Sequence, residues 1–169
     1  MDDKIEILLN KINIDADSYQ YFYDAKITRI KINSRVNAWN IFIEKLELLP
    51  VNILEELESK KMLLDENASS IEFVFDIENP ENSIYLSYYP YLLKTLKEDL
   101  KVLEIYEDCM KLEDDFLVLI VSNEAEKERL NSCLDKITSF YNRLGYEYNI
   151  EIIIRKEENI LEEIKNELK

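Results

Sequence analysis

The chain of 169 residues contains no histidine, one glycine, two cysteines and three prolines, and its 21 basic residues are outnumbered by 36 acidic ones. Each shortage excludes something. Without histidine the commonest general base and metal ligand is missing. A single glycine, Gly145, rules out the Gly-rich loops that cradle phosphates. Cys109 and Cys133 form no CxxC pair, and no histidine is present to complete a zinc site. They read as buried free thiols of a reducing, cytoplasmic compartment. No run approaches the roughly 20 apolar residues of a membrane span, and the start "MDDKIEILLN" lacks the apolar core of a signal peptide. A net charge of -15 repels nucleic-acid phosphates on average, so DNA could be held only by a local basic patch, and it disfavours an anionic membrane as partner.

What is present supports a core. The composition is 47% hydrophobic and 11% aromatic, and the length suits one domain or two small subdomains. Ile5, Leu8, Leu9 and Ile12 share one helical face, and a second short helix is expected from about Asp17 to Asp24. "KITRIKIN" and "AWNIFIEK" both alternate. Joined by a turn over Ser34 to Asn37, they form a hairpin in which Ile32 faces Trp39, Ile30 faces Ile41 and Thr28 faces Ile43, with these side chains inward. The opposite face then sets Arg29 against Phe42 and Lys31 against Asn40. Trp39, Ile30, Ile41 and, from the next strand, Phe73 are the expected core residues of this part.

Pro50 suits the first turn of a helix carrying Ile53, Leu54 and Leu57, continued by Lys61 and Met62. "IEFVFDI" alternates with Ile71, Phe73, Phe75 and Ile77 inward. "ENPENS" marks a boundary, dividing the chain into subdomains 1–79 and 80–169. Helical sequence follows from about Ser83 to Met110, interrupted at Pro90 and again near Glu98. "FLVLIV" reads as a central strand buried on both faces. Asn123 and Glu126 make a capping box for a helix with the stripe Leu130, Cys133, Leu134, Ile137, Phe140 and Leu144, closed by Gly145. "YEYNIEIII" alternates as a strand, and Ile160, Leu161, Ile164 and Leu168 line a terminal amphipathic helix. The expected class is α+β: two small sheet-and-helix units packed together, αα-ββαβ and then αα-βαβ-α.

Candidate chemistry is sparse. The acidic groups Asp2-Asp3, Asp76/Glu78/Glu81, Glu113-Asp114-Asp115 and Glu157-Glu158 could attract a hard cation, but consecutive residues do not converge on one ion, so no metal and no cofactor are expected. No serine is marked as a nucleophile. Tyr85, Tyr88, Tyr89 and Tyr91 read as helix packing ahead of a binding stripe. The more specific feature is basic: Lys26, Arg29, Lys31 and Arg35 fall within ten residues. They read as a solvated face balanced by nearby acids, as a docking patch anchored by Arg29 and Phe42, or as a single-strand contact.

The segments "ITRIKINSRVNAWNIFIEKLELLP", "IEFVFDIEN", "YYPYLLKTLKEDL" and "FLVLIVSNEAEKERLNSCLDKITSFYNRLGYEYNIEIII", in this order, resemble the extreme N-terminal region of PolC, the replicative DNA polymerase III alpha subunit of low-GC Gram-positive bacteria. The most specific elements are the Trp39 strand running into Leu48-Leu49-Pro50 and the helix ending "FYNRLGY". Relatives tend to carry histidines after the tryptophan, where this chain has Asn40 and Phe42. The resemblance implies a non-catalytic module in two parts, with the OB-fold, PHP, 3'-5' exonuclease and polymerase domains beyond Lys169. It also implies a role in holding the polymerase to the replisome, with the clamp-loader tau subunit the leading partner. The rest of the polymerase chain is the other expected partner; the alternatives are a module that guides single-stranded DNA through weak contact, or a purely structural cap of the polymerase. Arg29, Lys31, Arg35 and Phe42 are the expected partner-binding residues.

Overall fold

A computed structural model describes residues 1–96, 106–155 and 164–168. The chain forms two compact units, Met1–Pro80 with Asn142–Tyr146, and Glu81–Tyr141 with Glu147–Lys169.

The first unit begins with helix α1, Asp3–Lys11, whose Ile5, Leu8 and Leu9 are buried. Asp3 and Glu6 in its first turn and Lys11 in its last complement the helix dipole. The short helix expected at Asp17 to Asp24 is a 3-10 helix, Ala16–Phe22, which buries Ser18 and Phe22 and leaves Tyr23 exposed. Its start is fixed from helix α2, Val51–Lys60: the Glu56 carboxylate accepts from the Asp15 N–H and from Ser18 Oγ, each at 2.8 Å. α2 begins at the Pro50 carbonyl and buries Ile53, Leu54 and Leu57. Its continuation tightens into a 3-10 helix, Lys61–Leu64.

Strands β1 (Lys26–Asn33), β2 (Ala38–Lys45) and β3 (Ser70–Ile77) form a sheet in the order β1-β2-β3, with β1 antiparallel and β3 parallel to β2. Ile71, Phe73, Phe75 and Ile77 all point into the core, paired in register with Trp39, Ile41, Ile43 and Lys45. The hairpin register is as expected from Arg29 to Asn33. It departs at Thr28, where a bulge places Ile27 opposite Ile43. One inserted residue reverses the alternation, so Ile27 enters the core and Thr28 turns out, with its hydroxyl 3.4 Å from the Phe42 carbonyl. An aliphatic side chain thereby fills a place where threonine would bury a hydroxyl.

Ile30 corrects the expected core. It and Ile32 are each 48% exposed, whereas Ile41 is 1% exposed. β1 is an edge strand, and the apolar layer that covers Ile27, β2 and β3 does not extend over its second half. Trp39, opposite Ile32, is half-buried for the same reason, and its indole Nε1 donates to Asn37 Oδ1 at 2.9 Å. Truncating it therefore opens no enclosed cavity. Trp39→Ala is expected to cost about 2 kcal/mol, below the range for a fully buried aromatic, and to leave a folded chain. Urea denaturation followed by circular dichroism checks this; a loss above about 4 kcal/mol would make Trp39 a core anchor after all.

The second unit holds β4 (Met110–Glu113), β5 (Phe116–Val121) and β6 (Glu151–Ile154), ordered β4-β5-β6 with β5 in the centre. β4 replaces the end of the expected helix. Its four residues are too few to display a period, and it is pairing with β5 that extends them. The link is the two-residue turn Asp114-Asp115, both at positive φ, as tight hairpins with the sheet's twist require. Helices α3 (Asn82–Leu86) and α4 (Tyr89–Thr95) precede it, with Pro90 in the first turn of α4. Tyr85, Tyr88 and Tyr89 are buried, and Tyr85 meets Tyr141 edge-on at 6.4 Å. The tyrosines are thus packing residues.

The single helix expected after Asn123 is two, α5 (Glu124–Asn131) and α6 (Leu134–Arg143). Between them Ser132 Oγ donates to the Arg129 carbonyl at 2.6 Å, a local bond that competes with the helical ladder. Asn123 Oδ1 caps the Glu126 N–H at 2.9 Å, while Glu126 reaches back to the Ser122 N–H at 2.8 Å. β6 begins only at Glu151, so Tyr148 precedes it, exposed and edge-on to Phe116 at 5.0 Å. Cys109 and Cys133 are free and buried, and burial pushes the Cys109 thiol up to about 11, far from a reactive thiolate. The expected break near Glu98, together with Ile160 and Leu161 of the terminal helix, lies outside the described residues.

Candidate interaction surface

The hairpin separates its side chains by parity. Trp39, Ile41 and Ile43 face the core, so Asn40, Phe42 and Glu44 face away from it, with Arg29 and Lys31 beside them on β1. The pair predicted across the strands is formed: the Arg29 guanidinium carbon stands 4.1 Å from the centre of the Phe42 ring. At a solvent-facing site such a contact is worth about 0.5–1 kcal/mol, and it holds a planar cation and a half-buried ring as one flat element. Lys31 is opposite Asn40. Arg35 lies in the turn, where its backbone N–H donates to Asn33 Oδ1 at 3.1 Å, and its side chain is exposed. Arg29, Lys31 and Phe42 are therefore contiguous, and Arg35 extends the set at the hairpin tip.

Among the described residues, none of Lys26, Arg29, Lys31 and Arg35 is paired with a carboxylate. This bears on the reading of a face balanced by nearby acids. No aspartate or glutamate occurs between Asp24 and Glu44, a long interval in a chain with 36 acids. Charged side chains from Ala25 to Ile43 are thus all cationic, while the acids of the same sheet face stand at its far end and on the next strand, Glu44 opposite Lys26 and Glu72 beside Asn40.

The sequence reasoning missed the feature that closes the other end of the hairpin. Lys45 is only 4% exposed. By parity it belongs to the core face, and its ammonium binds Asp24 Oδ1 at 2.6 Å and the Tyr21 carbonyl at 2.5 Å. Asp24 Oδ2 accepts the Leu46 N–H at 2.9 Å. The available signal was a lysine on the inward parity of an otherwise apolar strand. Burial raises the Asp24 pKa, but the hydrogen bonds from Lys45 and the Leu46 N–H outweigh it and leave the pKa below the ordinary value. The exposed cations are thus distinct from Lys45, which is buried and paired.

No helix among the described residues is long and apolar enough to cross a membrane, and among them no group of three or more acids or cysteines could hold a metal ion. Residues 4–77 match the family described as DNA polymerase III polC-type N-terminus I. No curated protein and no solved structure matches the chain.

Proposed function

Residues 4–77 are a polC-type DNA polymerase III N-terminal domain, and from that premise we propose that the chain is a non-catalytic interaction module that tethers such a polymerase to the replisome in the cytoplasm, through the tau subunit of the clamp loader. The parent polymerase would supply DNA synthesis and 3'-5' exonuclease activity from other domains, and subdomains 1–79 and 80–169 would be the two parts of its N-terminal region. One observation carries the proposal: four cations without carboxylate partners among the described residues, one of them stacked on Phe42, lie on a sheet face and turn that the first unit's own core does not use. Arginine with an aromatic neighbour is the composition enriched at the centres of protein interfaces.

The test is a heteronuclear NMR titration of the chain with the C-terminal domain of the same organism's tau subunit at two salt concentrations. Shifts are expected around Arg29, Lys31, Arg35 and Phe42, persisting at high salt, and Arg29→Glu with Lys31→Glu should weaken binding about tenfold or more. Absence of shifts at high protein concentration would sink the tether.

The unpaired basic face also favours a second reading, weak binding of single-stranded DNA. It differs in its salt response: phosphate binding falls log-linearly and steeply with salt, whereas an interface with an apolar centre changes less. A module that only stabilises the remainder of the polymerase would bind neither.

A further inference from the structure

Docking through the cationic face leaves the edge of the same sheet without an explanation. β1 is eight residues long and terminal in the order β1-β2-β3. The opposite edge is not equivalent: an added Cβ on Gly145 would stand 3.1 Å from the Phe75 carbonyl of β3, and Arg143 reaches Glu72 at 3.9 Å. On β1, the one side chain that bonds the strand's backbone among the described residues is Asp2, which accepts from the Ile27 N–H at 3.4 Å, before the bulge. From Arg29 to Asn33 the outward backbone groups make no hydrogen bond among the described residues, and all five residues are exposed.

We propose that this edge takes an acidic, extended segment of a partner protein as a fourth strand of the sheet. The idea rests on the hairpin being the docking surface and specifies what docks there. An unpaired row of N–H and C=O groups is a template for another strand. The side chains on either face then select which strand. Ile30 and Ile32, each 48% exposed, border one face of the edge, while Arg29 and Lys31 border the other. A segment alternating apolar and acidic residues covers the isoleucines with one set and meets the cations with the other. No acid between Asp24 and Glu44 opposes it. A second copy of β1 is disfavoured, because antiparallel pairing of two such edges brings Arg29 and Lys31 close to their own kind. The charges that protect the edge from self-association thus define its partner.

The probe is an end-blocked peptide of about eight residues alternating valine and glutamate, matched to the length of a strand. It is titrated into the 169-residue chain and read by amide hydrogen exchange and by the emission of Trp39, the single tryptophan. Amides between Arg29 and Asn33 are expected to gain protection, and the Trp39 emission, next to Ile32, to shift. Arg29→Glu with Lys31→Glu should weaken the peptide about tenfold or more. A version of the peptide N-methylated at alternate residues keeps its charge and loses its pairing edge, so it should not bind. Equal binding of the N-methylated peptide, or of a valine–lysine peptide, would overturn the proposal. So would the same protection from an oligothymidylate, or no binding at millimolar peptide. If the peptide fails while the partner titration above still shifts the hairpin, strand addition falls and the tether stands. If the peptide protects β1 and that partner gives no shift, the tether is the reading that falls.

Discussion

Asp24→Ala is expected to destabilise the chain by about 3 kcal/mol, measured by urea denaturation, because it strands the buried ammonium of Lys45. The low end of the range applies since Asp24 keeps 26% of its side chain exposed while Lys45 keeps 3%. Lys45→Met should cost much less, about 1 kcal/mol, because it removes the charge along with its desolvation penalty and leaves Asp24 with the Leu46 N–H and water. Equal losses in the two variants would show that the pair contributes as an attraction and that the burial of the lysine carries no penalty. The same contacts predict the acid response. Glu56, like Asp24, is held below its ordinary value: burial raises it, but the Asp15 N–H, Ser18 and Lys60 outweigh that. Both carboxylates bind protons less readily folded than unfolded. Their contribution is complete above about pH 4–5, the range of an unperturbed carboxylate, and is lost as pH falls through the depressed folded values. Asp24→Ala should flatten that acid-side decline.

Gly145→Val is expected to cost about 4 kcal/mol, a large fraction of the roughly 5–15 kcal/mol typical of a folded domain. Two effects combine. The residue sits at φ +90, where a β-branched side chain is strained. Its Cβ would also approach Ile77 Cγ1 to 3.0 Å and the Phe75 carbonyl to 3.1 Å, and a strand carbonyl cannot rotate aside as a side chain can. Gly145→Ala removes the branching and keeps the rest, so about 2 kcal/mol is expected. Thermal melts of the two variants check the order; an alanine variant as stable as the parent would show that the close approach relaxes freely. Gly145 was legible from sequence as a helix cap. Its position against β3 was not, because nothing local reports which distant strand a loop meets.

The same contrast runs through the candidate surface. Arg29 opposite Phe42 followed from alternation alone, since a four-residue turn and one buried face leave a single register for the tip of the hairpin. Thr28 did not, because a bulge adds a residue without a local signature. Ile30 was placed in the core by parity, which tells the face of a sheet but not how far the covering layer reaches.

By itself the sequence determined the types of α1, α2, β1, β2, β3 and β5, the inward parity of β2 and β3, the cap at Asn123, the acid-free interval from Ala25 to Ile43 and the resemblance borne out over residues 4–77. These are properties of spacing and composition, which act over a few residues. Only the tertiary structure decided that β1 is an edge, that Lys45 is buried against Asp24, that Met110–Glu113 is a strand and that Asn142–Tyr146 joins the first unit. Each depends on partners far away in the chain, and such a contact forms only when the whole arrangement of sheet and helices brings the two segments together.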